Sequence, residues 1–177
     1  MNQSNLTRTA LHYGVMSGLA VFLFNFLLYA SGNNIFGPIS MLGIWIPVVF
    51  IVIATRFHRD QNLGGTLSYG QGFSIGILTT VFSATLFGLC FYLFGVLYAT
   101  ELIEFYTSQA AEGLEQGKDF VSEALLDQAM EGLEQATMSS LAFSESFNKF
   151  LWGGVVSLIT AAVMRRKGNE NAPTDWQ

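Results

Sequence analysis

The feature that most constrains the fold of this chain is a series of four apolar runs. A lipid hydrocarbon core about 30 Å thick is crossed by about 20 apolar residues in a helix. The runs cover about residues 11–30, 39–55, 73–98 and 147–164. Helices satisfy their own backbone polar groups, as lipid requires. We therefore predict an all-α polytopic membrane protein, residues 1–177 forming a single membrane domain with four transmembrane helices.

Composition agrees with this prediction. Hydrophobic residues make up 51% of the chain and charged residues 12%, whereas soluble domains carry about 25% charged residues. Pro47, near the middle of the second run, predicts a kink there. Residues 56–66 are polar and predict a connection outside the hydrocarbon. The lone Cys90 has no partner for an internal disulfide.

The distribution of Lys and Arg predicts the orientation, because cytoplasmic loops carry an excess of positive charge. Six of the eight cations lie on one side of the four runs, namely Arg8, Arg56, Arg59, Arg165, Arg166 and Lys167. Lys118 and Lys149 lie on the other side, and Lys149 is expected to snorkel from the outer end of the fourth span. Both termini are therefore predicted to be cytoplasmic.

The segment between the third and fourth runs, about residues 100–146, is acidic and rich in helix-forming residues. Its acids recur every three or four residues, so that one continuous helix would place them on one face, opposite Leu114, Val121 and Leu125. A turn near Gly117 and Lys118 would instead give two shorter helices. The sequence predicts an acidic amphipathic helical segment and leaves both forms open.

This acidic face is a candidate partner-contact surface. Like charges four residues apart destabilise a helix by a few tenths of a kcal/mol, so another contact must support the segment. The alternative is a solvated face supported by packing on the bundle. The candidate residues, including two arginines of the loop after the second run, are Glu112, Glu115, Asp119, Glu123, Asp127, Glu131, Arg56 and Arg59.

Small residues at four-residue spacing predict where helices approach closely. One stripe consists of Ala10, Gly14 and Gly18. The other stripes are Gly72 and Gly76 with Ala84 and Gly88 in the third run, and Gly153, Ser157 and Ala161 in the fourth. Packing inside one bundle is the favoured interpretation, and a dimer seam is the alternative.

No pattern typical of catalysis, cofactor binding or metal binding is present. His12 and His58 stand apart from other ligands, and His58 is assigned to the polar loop. The predicted spans contain no Asp, Glu or Arg, which argues against a coupled transporter. We expect no enzyme activity, no cofactor, no metal and no nucleic-acid partner.

Three stretches resemble a known family. They are Tyr13 to Gly18, the loop from Arg56 to Asp60 that continues through residues 64–73, and Leu158 to Lys167. In these stretches the chain resembles the four-span bacterial membrane proteins catalogued as domain of unknown function 4199. The resemblance covers nearly the whole chain and implies four spans in the inner membrane of a Gram-negative cell. It implies no activity.

The resulting functional hypothesis is a non-catalytic accessory, scaffold or regulatory subunit. It would contact the lipid bilayer and a protein partner or further copies of itself through the acidic segment or the cytoplasmic loop. The alternative is a small oligomeric channel or carrier. A membrane enzyme ranks third, and requires His12, or Glu101 and Glu104, to surround a metal or lipid headgroup.

Overall fold

The computed structural model describes residues 3–166, and Lys167 of the predicted basic cluster lies outside them. The described chain is helical, without a β-strand. Its elements, in order, are α1 (Gln3–Ala30), a 3₁₀ helix (Pro38–Ile44), α2 (Trp45–Asn62), α3 (Tyr69–Leu97), α4 (Leu102–Gly117), a second 3₁₀ helix (Lys118–Phe120), α5 (Glu123–Glu134) and α6 (Met138–Met164).

Four helical segments have the length and composition to cross a membrane. They are Asn5–Ala30, Pro38–Asn62, Tyr69–Leu97 and Met138–Met164. The predicted all-α fold with four spanning helices is therefore confirmed. By helix length and composition, the chain is a multi-pass membrane protein.

The second span differs from the prediction at both ends. It begins as a 3₁₀ helix, and Pro47 lies in the first turn of α2. A proline there interrupts no established α-helical ladder, so the predicted mid-helix kink is wrong. At the other end, α2 continues through the expected polar loop to Asn62. It ends before Gly64 and Gly65, which both have positive φ, a conformation that glycine adopts without steric cost.

The last helix begins earlier than predicted. A capping box forms at its start, in which the Thr137 hydroxyl accepts from the Ser140 N–H and the Ser140 hydroxyl accepts from the Thr137 N–H. Such reciprocal bonds satisfy two otherwise unpaired donors at a helix start. Residues 138–146, expected in the acidic segment, therefore belong to α6.

The small-residue stripes lie at contacts inside the bundle, where α3 packs between α1 and α6. A Cβ added to Gly14 would lie 2.6 Å from the Phe82 Cβ and 2.8 Å from the Thr79 carbonyl oxygen. A Cβ on Gly76 would lie 2.8 Å from the Ser157 Cβ. These distances are too short for any side chain, so the prediction of internal packing is confirmed.

Buried hydroxyl groups at these contacts are satisfied locally. Thr79, Thr80 and Ser157 donate to the carbonyl oxygen four residues earlier in their own helices. The Ser83 hydroxyl donates to the Ser17 hydroxyl at 2.9 Å, which joins α3 to α1. These buried hydroxyl groups are therefore paired at the close helix contacts, as a surrounding of low polarity demands.

The end of the bundle at which α1 begins and α6 ends, called the terminal end, is closed by a short backbone contact. Leu67, in the loop before α3, and Arg166, just after α6, exchange two N–H···O bonds of 2.9 Å. Leu67 is itself buried. The contact fixes the end of α6 to the loop between α2 and α3.

We predict that Gly14→Ala destabilises the protein by about 1–3 kcal/mol, since a methyl group there overlaps main-chain atoms of α3. Gly154→Ala is the matched control, because its nearest neighbour, Ile77 Cδ1, lies 3.8 Å away. Unfolding of both variants in the same detergent measures the difference. Equal stability of the two variants would contradict the proposed close contact.

Candidate functional site

The eight predicted partner-contact residues form two separate groups. Glu112 and Glu115 lie on α4, and Glu123, Asp127 and Glu131 lie on α5, all of them exposed. Asp119 lies in the 3₁₀ turn between these helices, and its side chain lies outside the described residues. The two arginines, Arg56 and Arg59, lie on α2 at the terminal end. α3, whose 29 residues extend about 43 Å, runs from the end that carries the arginines to the end from which α4 starts.

The arginine group is an ion-pair cluster on a helix rather than part of a loop. The Arg59 Nε lies 2.7 Å from the Asp60 carboxylate, and the Arg56 Nε lies 3.8 Å from it. His58, assigned to the loop, is instead buried on α2. Its Nδ1 lies 3.2 Å from the Asn62 amide nitrogen, and its Nε2 has no hydrogen-bond partner among the described residues. His58 follows the buried residues Ala54 and Thr55 by four and three positions on α2, so it lies on the same inward face.

The residues from α4 to α5 form an arm, defined as Leu102–Glu134. Its base is fixed to the bundle, because Leu102 is buried beside the core residues Phe91 and Leu141. The Tyr29 hydroxyl donates to the Glu101 carboxylate, which joins the end of α1 to the residue before the arm. The arm thus starts from a fixed point at one end of the bundle, called the arm end.

The distal part of the arm is not supported by the bundle. No residue of α5 is buried, and α5 packs mainly on α4. Phe120, in the turn, is 93% exposed, and Val121 and Leu125, expected on a protected face, are exposed as well. The segment forms two helices separated by the 3₁₀ turn at Lys118–Phe120, and not one continuous helix.

A cavity of about 390 Å³ lies between α1, the first 3₁₀ helix, α2 and α6, and α4 covers its arm end. This volume is in the range of small-molecule binding sites. Most of the lining is apolar and includes Val21, Phe36 and Trp152. The polar lining residues are Asn25, Ser40, Gln109, Glu145, Asn148 and Lys149.

One ion pair lies in the wall of this cavity. The Lys149 Nζ is 2.7 Å from the Glu145 Oε2, one turn earlier on α6. The ammonium also lies 4.0 Å from the centroid of the Phe87 ring, a favourable cation–π distance. The two side chains are 24% and 25% exposed. Lys149 therefore turns towards the interior of the bundle.

Sequence reasoning missed this pair because it began the last span at residue 147. With α6 beginning at Met138, Glu145 belongs to the same helix as the fourth span. The four-residue spacing of Glu145 and Lys149, with Glu first, is the favourable order for a helical ion pair. That spacing was the available signal.

The described residues contain no group of three or more His, Cys, Asp and Glu side chains arranged to hold a metal ion. Glu101 and Glu104 lie near the base of the arm, while His12 lies on α1 and contacts the ring of Tyr13. What the structure brings together is a mostly apolar cavity with one ion pair. A cavity of this kind is suited to binding a small ligand.

We predict that Tyr29→Phe raises the pKa of the Glu101 carboxyl. The hydrogen bond from Tyr29 favours the ionised form and lowers the pKa of Glu101 below its ordinary value. The bond therefore adds stability above the ordinary pKa, and that stability is lost as the pH falls through the lowered pKa. Titration of the Glu101 carboxyl by carbon NMR measures the change. Tyr98→Phe, at an exposed ring nearby, is the control, and an unchanged Glu101 pKa in Tyr29→Phe would contradict the bond.

The chain matches a known protein family. The model of the family described as "Protein of unknown function (DUF4199)" matches residues 12–166, which confirms the resemblance seen in the sequence. No curated protein and no solved structure matches the chain. The matched range reaches from α1 to Arg166 and includes α2, α3 and α6. The chain belongs to the DUF4199 family.

Proposed function

We propose that this chain is a non-catalytic accessory, scaffold or regulatory subunit of a bacterial inner membrane. Its arm binds a partner protein that presents a basic surface outside the membrane. The bundle holds the arm at a fixed position, and the arm supplies the contact. The proposal follows from the distribution of charge and burial along the arm.

The observation that carries this proposal is the lack of internal support for α5. It bears Glu123, Asp127 and Glu131 at four-residue spacing and has no buried residue. Like charges at this spacing weaken a helix, and a 12-residue helix is marginal in water without tertiary packing. A bound basic partner would neutralise the acids and supply the missing contacts.

The proposed orientation places the arm in the periplasm and both termini in the cytoplasm. Arg56, Arg59, Arg165 and Arg166 all lie at the terminal end, whereas Lys118 and Lys149 lie towards the arm end. Because cytoplasmic loops carry an excess of Lys and Arg, this distribution supports the proposed orientation. It makes the arm available to periplasmic proteins.

A small oligomeric channel or carrier is the second candidate, and the cavity at the arm end favours it. The other half of the bundle opposes it, because α3 meets α1 and α6 there with no room for a methyl group at Gly14 or Gly76. A conduit would therefore run between copies of the chain. Solute or ion flux through liposomes containing the purified protein tests this candidate.

The orientation predicts which cysteines react from outside the cell. In a Cys90→Ala background, Ser122→Cys on the exposed arm is expected to react with a membrane-impermeant maleimide in intact spheroplasts. Gln61→Cys, exposed at the terminal end, is expected to react only after lysis. Gel-shift labelling measures both variants, and the reverse pattern would contradict the orientation.

The partner contact predicts a charge-dependent cross-link. A photoreactive phenylalanine derivative at Ala124, exposed on α5, should give one discrete adduct in cells. The triple variant Glu123→Lys, Asp127→Lys, Glu131→Lys should reduce its yield by roughly tenfold or more, because like charges facing each other across an interface cost several kcal/mol. Mass spectrometry identifies the adduct.

Two controls accompany this experiment. The same probe at Leu158, exposed on α6, should not give that adduct, and the triple variant should keep the unfolding temperature of the bundle. The partner sequence should carry a basic segment outside the membrane. Lack of an adduct, an adduct with the chain itself, or a yield unchanged by charge reversal would contradict a basic partner.

A further inference from the structure

The cavity at the arm end has a gradient of polarity along its depth. On α6 the lining residues run from Glu145, Asn148 and Lys149 to Trp152 and Val156 in the direction of the terminal end. The same order holds on the second span, where Ser40 precedes Pro47 and Val48. On α1, which runs the opposite way, Asn25 lies nearer the arm end than Val21. Three spanning segments thus give a polar arm end and an apolar deep end.

The position of the ion pair matches the boundary of the lipid layer. The roughly 20 residues that cross a hydrocarbon core, counted back from Met164, reach Glu145. Lys149 lies one helical turn deeper, and its ammonium is directed back to Glu145. The ion pair therefore lies at the edge of the expected hydrocarbon crossing, within reach of a lipid headgroup.

The cavity is also continuous with the outer surface of the bundle. Its walls include Met41, Ile44 and Trp152, which are 63%, 39% and 56% exposed and belong to helical segments long and apolar enough to cross a membrane. A molecule entering from the bilayer would therefore not cross water. The volume of about 390 Å³ suits an acyl chain better than a whole two-chain lipid.

We propose that this cavity binds an anionic membrane lipid, with one acyl chain in the apolar deep end. The acid group of the head pairs with Lys149 and takes the place of, or shares, the contact now made by Glu145. Asn25 and Asn148, which line the same space, are positioned to bond the head. The proposal is independent of a partner for the arm.

The test uses the full chain in lipid nanodiscs that contain a trace of photoactivatable lipid. One sample carries phosphatidylglycerol with a diazirine in the acyl chain, and the other carries phosphatidylcholine with the same acyl chain. After illumination, peptides containing Val48 or Val156 should be labelled about fivefold more by phosphatidylglycerol, a preference of about 1 kcal/mol, comparable to one hydrogen bond. Equal labelling by the two lipids would overturn the anionic head.

Two charge-neutralising variants test the head contact. Lys149→Gln should abolish the preference, so that both lipids label equally. Glu145→Gln should increase it, because it removes the competing carboxylate from Lys149. If the Glu145–Lys149 ion pair had only a structural role, both variants would change the preference for phosphatidylglycerol in the same direction. That result would overturn the assignment of Lys149.

A matched pair of tryptophan variants tests the chain contact. Val48→Trp fills the cavity and should reduce labelling by both lipids about fivefold, a loss of about 1 kcal/mol, comparable to about one buried methylene. Val49→Trp, one residue further on α2 and exposed on the outer surface, should leave labelling unchanged. Unfolding temperatures show whether each variant is folded. Undiminished labelling in a folded Val48→Trp would overturn the location. If that variant does not fold, the two charge-neutralising variants of Lys149 and Glu145 decide.

Discussion

The rest of the structure depends on the close approach of α3 to its two neighbours. Lipid gives helices no hydrophobic reason to associate, so van der Waals contact and paired polar groups must hold them together. Gly14 allows that contact between α1 and α3 and Gly76 allows it between α3 and α6, and the bond between Ser83 and Ser17 pairs two buried hydroxyls at the first of these contacts. α3 is therefore the central helix, and α1 and α6 are placed by their contacts with it.

This placement explains why one end of the bundle is closed and the other is open. At the terminal end, the bridge between Leu67 and Arg166 adds backbone bonds to the glycine contacts. At the arm end, α2 gives way to a 3₁₀ helix, and the cavity occupies the space between it and α6. Possible binding surfaces thus lie at the arm end, in the cavity and on the arm.

The sequence predicted the four spans and the helix contacts because both depend on local patterns. Apolar length determines a span, and the spacing of Gly14, Gly18 and their counterparts determines a face. It did not predict the start of α6, because Thr137 and Ser140, which form the capping box, are also typical residues of a polar turn. The cavity and the inward turn of Lys149 also escaped prediction, since both depend on where α6 packs relative to α1 and α2.

The 3₁₀ helix at Pro38–Ile44 affects both the length of the second span and the width of the helix at its start. At about 2.0 Å per residue, its seven residues extend about 14 Å, whereas an α-helix of the same length would extend about 10.5 Å. The second span therefore reaches the arm end with fewer residues than its neighbours. A 3₁₀ helix is also more slender than an α-helix. The same seven residues that lengthen this span thus form a thinner part of the bundle wall, where Met41 and Ile44 line the cavity and are also exposed at the outer surface.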